Sequence, residues 1–131
     1  MNETTLTPQP WMERTQLLFG EERQRELMRC HVLIVGLGGV GGMAAELIAR
    51  AGIGRLTIVD ADIVQPSNIN RQIVATADSI GRPKAEVLAE RLRSINPAIE
   101  LEVVEAFLKD EVMTEVLDRH RYDYVVDAID S

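Results

Sequence analysis

Seven residues, Gly36-Leu37-Gly38-Gly39-Val40-Gly41-Gly42, hold a GxGxxG pattern at Gly36, Gly38 and Gly41. Glycine at these positions permits a tight turn and lets backbone N–H groups approach phosphate oxygens, while a helix starting there adds partial positive charge. The pattern alone is weak. Here it follows an apolar run and precedes a helical one, and Asp60 lies 19 residues beyond Gly41 at the end of the next apolar run, where its carboxylate can accept hydrogen bonds from ribose hydroxyls. Together these features point to a bound nucleotide. The alternative is glycines that only allow close helix–strand packing.

NAD would need the turn, Asp60 and little else. A triphosphate needs cations and a metal near its outer phosphates. Asn68-Ile69-Asn70-Arg71-Gln72 and Lys84, 13 residues after Arg71, supply two such cations from a loop and a helix start on the same side. Arg and Lys can orient a phosphate chain and stabilise a leaving pyrophosphate. Either residue in isolation would read as a solvated surface charge. Asp130 could hold Mg2+ through its carboxylate, or be a solvated carboxylate; Asp127 is a second ribose partner or a structural one. Such cations are what ATP with Mg2+ would need and a nicotinamide cofactor would not, and the residues alone leave the choice open.

The elements that must position these groups follow from periodicity. His31 to Val35 is a continuous apolar run, as in a buried parallel strand. Met43 to Ala51 carries Ala44, Leu47, Ile48 and Ala51 at helical spacing, and Gly52 and Gly54 punctuate its end. Leu56 to Val59 is a second strand. A strand–helix–strand crossover of this length is nearly always parallel and right-handed, which implies a Rossmann-like, doubly wound α/β fold. Residues 63–76 have no clean period and read as a loop with at most one helical turn, long enough to be functional. Pro83 suits the first turn of a helix with Ala85, Leu88, Leu92 and Ile95 inward, stopped by Asn96-Pro97. Leu101 to Val104 is a third strand, Glu111 to Arg119 a short helix with Asp110 as its cap and Val112 and Val116 inward, and Tyr124 to Ala128 a fourth strand. Two short helices between Arg14 and Arg29 make a packing arm, so residues 1–30 are assigned to the arm and 31–131 to the nucleotide-binding domain. A doubly wound domain is expected to continue past Ser131, leaving the fourth strand at an edge.

A chain of 131 residues fits one domain. No apolar run is long enough to span a membrane and the start lacks a signal-peptide pattern, so a cytoplasmic location is expected. Cys30 is the only cysteine, which excludes an internal disulfide and a CxxC zinc pair, and it reads as a small core residue. His31 and His120 read as structural. The net charge is -7, and residues 100–131 hold ten acidic residues against Lys109, Arg119 and Arg121. Composition therefore gives no support for broad nucleic-acid binding, although Arg71, Arg82, Lys84, Arg91 and Arg93 allow a local basic patch.

The combination GLGGVGG, IVDAD, SNINRQ, IGRPKAEVLAERL, INP and VVDAIDS resembles the ThiF/HesA/MoeB superfamily of ubiquitin-activating-like adenylating enzymes, from about Arg14 to Ser131. Within it, the ERTQLLFGEE lead-in and the DAIDS ending look most like the bacterial tRNA threonylcarbamoyladenosine dehydratases. The resemblance implies that Gly38, Gly39 and Gly41 line the phosphates and Asp60 holds the ribose. It also implies that Asn68, Arg71, Gln72 and Lys84 surround the phosphates, with Asp130 as the magnesium ligand; Asp62, in the same IVDAD motif, is counted with the nucleotide-binding residues. Arg14 matches an arginine that, in relatives, crosses a homodimer to the partner's ATP. The implied reaction is ATP-dependent activation of a carboxylate by adenylation, closing the modified adenosine of tRNA to a cyclic form. The alternative is adenylation of the C-terminal glycine of a ubiquitin-like sulfur carrier.

Overall fold

In a computed structural model the described residues are 6–107 and 109–129. The elements run α1 (Glu13–Phe19), α2 (Glu21–Arg29), β1 (His31–Val35), α3 (Gly39–Arg50), β2 (Arg55–Val59), α4 (Lys84–Ile95), β3 (Glu100–Val104), α5 (Asp110–Arg119) and β4 (Tyr124–Asp127). Short 3-10 turns occupy Pro10–Met12 and Pro66–Asn68. The four strands form one sheet in the order β3-β2-β1-β4, and every pairing is parallel. The doubly wound α/β expectation is met.

Alternation along the strands divides the core. Val32 and Ile34 of β1 and Leu56 and Ile58 of β2 join Ala45 and Ala49 of α3 and Ala85, Leu88 and Leu92 of α4 in the larger apolar layer. Leu33, Val35 and Val59 point to the other face, where only Val116 of α5 is fully buried against them, with Val112 and Tyr122 packed around. β1 is therefore covered on both faces, and all five of its residues are buried. This is why it reads as unbroken apolar sequence rather than as an alternating strand. β4 pairs only with β1, and Tyr124 and Val125 are 70% and 51% exposed.

Two sequence expectations need correction. The helix after the glycine turn starts at Gly39, four residues before Met43, because the last glycines of the motif are themselves helical: the Gly42 N–H donates to the Gly38 carbonyl at 3.0 Å. Asp110 is the first helical residue of α5, not its cap. Lys109 holds the capping position in an extended conformation, and the Asp110 carbonyl accepts from Thr114 Oγ1. The other helices lie where their periods place them, and Asn96 ends α4 as expected. Asn96 does more than stop the helix, since its buried Nδ2 donates to the Ala49 and Ile53 carbonyls and ties α4 to the end of α3. The N-terminal arm docks through Met12 and Gln24, the latter fully buried with Nε2 donating to the Ala51 carbonyl at 3.2 Å. No helix among the described residues is long and apolar enough to cross a membrane.

Candidate functional site at the switch point of the sheet

Chain direction across the sheet reverses between β1 and β4, and ligands of open α/β sheets bind beyond the carboxyl ends of the strands at such a point. The glycine turn sits there. Gly36 has φ +89°, and a Cβ on it would lie 2.6 Å from the Ala128 carbonyl oxygen at the end of β4. A Cβ on Gly41 would overlap the Gly36 carbonyl oxygen. Only glycine lets the first turn of α3 pack this tightly under β1. The early N–H groups of a helix have no partner within it, so this end of α3 can receive an anion.

Asp60 follows β2 and fixes the turn. Its Oδ2 accepts from the Leu37 N–H at 2.7 Å and its Oδ1 from the Asp62 N–H at 2.7 Å. Each carboxylate oxygen retains a second lone pair, so ribose hydroxyls can still be held beside the turn. Asp62 is exposed but reaches the cation expected from the sequence, its Oδ2 being 3.9 Å from Lys84 Nζ, while its carbonyl accepts from the Lys84 N–H at 3.0 Å. Lys84 opens α4 and is only 6% exposed. It is not a solvated surface charge. A lysine this enclosed needs compensation for its charge, and the Asp62 carboxylate, beyond hydrogen-bond distance, supplies part of it.

Residues 60–83 are a folded loop with its own anchors. Val64, Val74 and Ala75 are buried in the main core, and Val64 exchanges backbone hydrogen bonds with Gly81 and Arg82, each 2.9 Å. Within it Asn68 organises the next turn: Oδ1 caps the Gln65 N–H at 2.8 Å, and its carbonyl accepts from the N–H groups of Arg71 and Gln72. The family resemblance implies Asn68 among the phosphate contacts, and in the structure its side-chain oxygen also shapes the loop. Gln72 is 8% exposed, its Oε1 is buried without a partner among the described residues, and its Nε2 lies 3.5 Å from where a Gly38 Cβ would be. The Arg71 backbone and Cγ flank Gly39 in the same way, at 3.6 and 3.9 Å. Its exposed guanidinium folds back on the loop, with Nη1 donating to the Ser67 carbonyl and to Asn70 Oδ1 at 3.0 and 2.9 Å. Arg71 is thus beside the turn, with its charge held by its own loop.

The structure therefore brings together Gly36, Gly38, Gly39, Gly41, Asp60, Asp62, Arg71, Gln72 and Lys84. Asp127 ends β4 level with Val35 and is exposed, with Oδ1 accepting from the Ile129 N–H at 3.1 Å. Arg14 is exposed on α1 and belongs to the arm. Asp130 lies outside the described residues. Among those described, no group of three or more potential metal ligands clusters. Mg2+ commonly takes only one or two protein carboxylates and completes its shell with phosphates and water, a donor set that the exposed Asp127 at the end of β4 fits.

His31 and His120 read from the sequence as two separate structural residues, and the fold joins them. At the opposite end of β1, about 16 Å from the glycine turn by the rise of a five-residue strand, the rings of His31, His120 and Tyr122 pack on one another, His31 to His120 at 5.1 Å and His31 to Tyr122 at 4.7 Å between centroids. His120 Nε2 lies 2.8 Å from Glu102 Oε2. Burial pushes Glu102 up, but its hydrogen bonds from His120 and Arg119 more than offset that, and its carboxyl sits below the usual range. Burial, then the Arg55 and His120 charges, holds His31 below the ordinary histidine value. An open cleft of about 250 Å³ lies alongside, lined by His31, Arg55, Glu100, Leu101 and Glu102. No spacing rule links residues 31, 102, 120 and 122. Cys30, half-buried against the main core, has its thiol pushed up by burial, with Asp123 and Glu26 adding to the shift, as suits an unreactive core residue.

Residues 12–131 match the family model described as ThiF family. The chain belongs to the ThiF family. The ThiF-family domain is 44% identical over 124 residues to the tRNA threonylcarbamoyladenosine dehydratase of Escherichia coli strain K12, covering 92% of this chain and 46% of that protein. It is 39% identical over 112 residues to the sulfur carrier protein adenylyltransferase of Thermus thermophilus, covering 86% and 41%. A crystal structure of the E. coli dehydratase in complex with ATP superposes with a TM-score of 0.88, covering 92% of this chain and 49% of that one. The chain spans about half the length of the curated relatives it matches.

Proposed function

We propose that this domain binds ATP in the switch-point crevice and that the protein uses it to activate a carboxylate by adenylation. The observation that carries the reading is Lys84, a lysine only 6% exposed whose ammonium lies 3.9 Å from the Asp62 carboxylate, joined through Asp62 and Asp60 to a turn of spare backbone donors. A buried cation beside an anion-binding helix end favours a phosphate chain over a solvent-facing role. In this reading Gly38, Gly39 and Gly41 border the phosphates and Asp60 takes the ribose. Gln72, whose carbonyl oxygen lacks a partner, presents its amide nitrogen beside Gly38. Arg71 releases its loop contacts to meet the phosphates. Asp62, Asn68 and Asp127 frame the pocket.

Chemically, a carboxylate cannot expel oxide. Attack of its oxygen on the α-phosphorus releases pyrophosphate and leaves an acyl adenylate, whose AMP is a competent leaving group. The chain's contribution is positioning and charge stabilisation, with Lys84 and Arg71 facing the developing negative charge. Asp130, with the β- and γ-phosphates, would hold Mg2+, which neutralises charge on the phosphates when bound. In the whole protein we assign the substrate as threonylcarbamoyladenosine in tRNA: a nucleophile of the same modification attacks the activated carbonyl, AMP leaves and the ring closes. Identity of 44% to the E. coli dehydratase supports this assignment. The protein is read as a homodimer in the cytoplasm, with Arg14 reaching the partner's ATP.

Calorimetric titration with Mg-ATP and with NADH tests the first step, and saturable ATP binding that NADH does not displace is expected. Tight NADH binding indifferent to ATP would sink the reading. In the full-length protein, release of AMP should require modified tRNA, and Arg71→Ala should abolish it while the fold survives. The 39% identity to the Thermus adenylyltransferase favours a second substrate, a ubiquitin-like sulfur carrier. Carrier-dependent exchange of pyrophosphate into ATP separates the two.

A further inference from the structure

His31 opens β1 with its ring inside the fold, 5% exposed. Nε2 lies 2.7 Å from Thr57 Oγ1, and Nδ1 is buried with no hydrogen-bond partner among the described residues. The connection from α5 to β4, residues 120–123, closes over this ring. His120 and Tyr122 pack their rings on it, Asp123 Oδ2 accepts from the His31 N–H at 2.7 Å, and the Asp123 N–H donates to the His31 carbonyl at 2.8 Å. Tyr122 OH donates to the Val116 carbonyl at 2.7 Å, which joins the same connection to α5.

We propose that this cluster is a proton-sensitive clasp: neutral His31 staples the α5–β4 connection to the start of β1, and protonated His31 releases that connection and loosens β4 while β1, β2 and β3 stay paired.

The geometry supplies the reason. In the tautomer that carries its proton on Nε2 and donates to Thr57 Oγ1, the neutral ring leaves a bare nitrogen at Nδ1. Protonation there adds an N–H that has no acceptor, together with a charge that burial disfavours. The groups facing the ring from the packed elements are Arg55 and Thr57 on β2, Glu100 and Glu102 on β3, and His120, Tyr122 and Asp123 in the connection, with Arg119 at the end of α5 held by Glu102. Arg55 and His120 oppose the added charge. Glu102 and Asp123 favour it but are already engaged, Glu102 by Arg119 and His120 and Asp123 by the His31 backbone. The far end of β4 closes behind the glycine turn, its Ala128 N–H bonded to the Val35 carbonyl at 2.8 Å, so proton uptake at one end of the sheet reaches the other through β4.

Amide hydrogen exchange of the intact chain at pH 7.5 and 5.5, corrected for intrinsic rates, tests the clasp. Protection of residues 121–128 should fall at least tenfold on acidification, with the β2–β3 amides changing less than twofold. His31→Gln should remove that selective loss, and His120→Gln should keep it. Equal loss across all strands, or selective loss that persists in His31→Gln, overturns the proposal. Should His31→Gln fail to fold, NMR titration of the native histidine rings decides: β4 amide shifts must follow the His31 midpoint, and shifts that follow His120 or neither ring overturn it.

Discussion

At the end of β1 the polar groups keep capacity to spare, whereas at its start they are nearly all consumed by one another. The glycine turn presents backbone donors, an Asp60 whose second lone pairs are open, a Gln72 oxygen without a partner and an ammonium with a distant carboxylate. The His31 cluster instead spends Thr57, Tyr122, Asp123 and Glu102 on internal hydrogen bonds, and leaves only Nδ1 unmatched. Buried polar groups without partners are costly, and in the proposed reading a bound nucleotide completes those at the glycine turn. The contrast separates the place where we propose that a nucleotide binds from a place that holds the chain. A single unmatched nitrogen turns the second into a point of pH sensitivity.

The sharpest way to break this contrast is at Gly41. In Gly41→Val a side chain would occupy the space of the Gly36 carbonyl, so α3 and the turn must separate. The expected loss is about 3 kcal/mol or more, read as a lower urea midpoint together with undetectable ATP binding; native stability and affinity would mean that close packing does not build the turn. Lys84→Gln should weaken ATP binding about 10- to 100-fold, the range for a charge-assisted contact. Because the variant also removes a buried charge, its melting temperature should not fall, a combination that calorimetry and thermal unfolding can check. Val116→Ala probes the other layer. Removing two buried methyl groups there should cost about 2 kcal/mol in urea unfolding and leave ATP affinity unchanged. The smallest effect is expected from pH. His31 is held below its ordinary value near 6.5, so between the two values the unfolded chain binds more protons than the folded one. Its contribution to stability is complete above that range and declines as pH falls through it. Urea midpoints at pH 7.5 and 5.5 should record the decline, and His31→Gln should reduce it.

Much of the site was legible before any coordinates because its residues belong to local patterns. Gly36, Gly38 and Gly41 announce a turn by spacing, Asp60 by its place after an apolar run, and Lys84 by following Pro83 at a helix start. What misled was also local. The glycines after Gly38 look like loop, since glycine is a poor helix former, but the close approach of α3 to β1 outweighs that preference. Asp110 looks like a cap because aspartate favours that position, yet the helix takes it in and leaves Lys109 outside. Lys84 looks like surface charge because lysine is seldom buried, and only the packing of the 60–83 loop encloses it.

By itself the sequence determined the alternation of strands and helices, the two-sided burial of His31–Val35 and the tight glycine turn between β1 and α3, because each depends on residues a few positions apart. Tertiary structure alone decided that β4 lies beside β1, that Gln72 and Arg71 flank Gly38 and Gly39, that the Arg71 guanidinium rests on its own loop, and that His31, Thr57, Glu102, His120 and Tyr122 meet. Those contacts join segments distant along the chain, and strand order and packing select them where no period or spacing can.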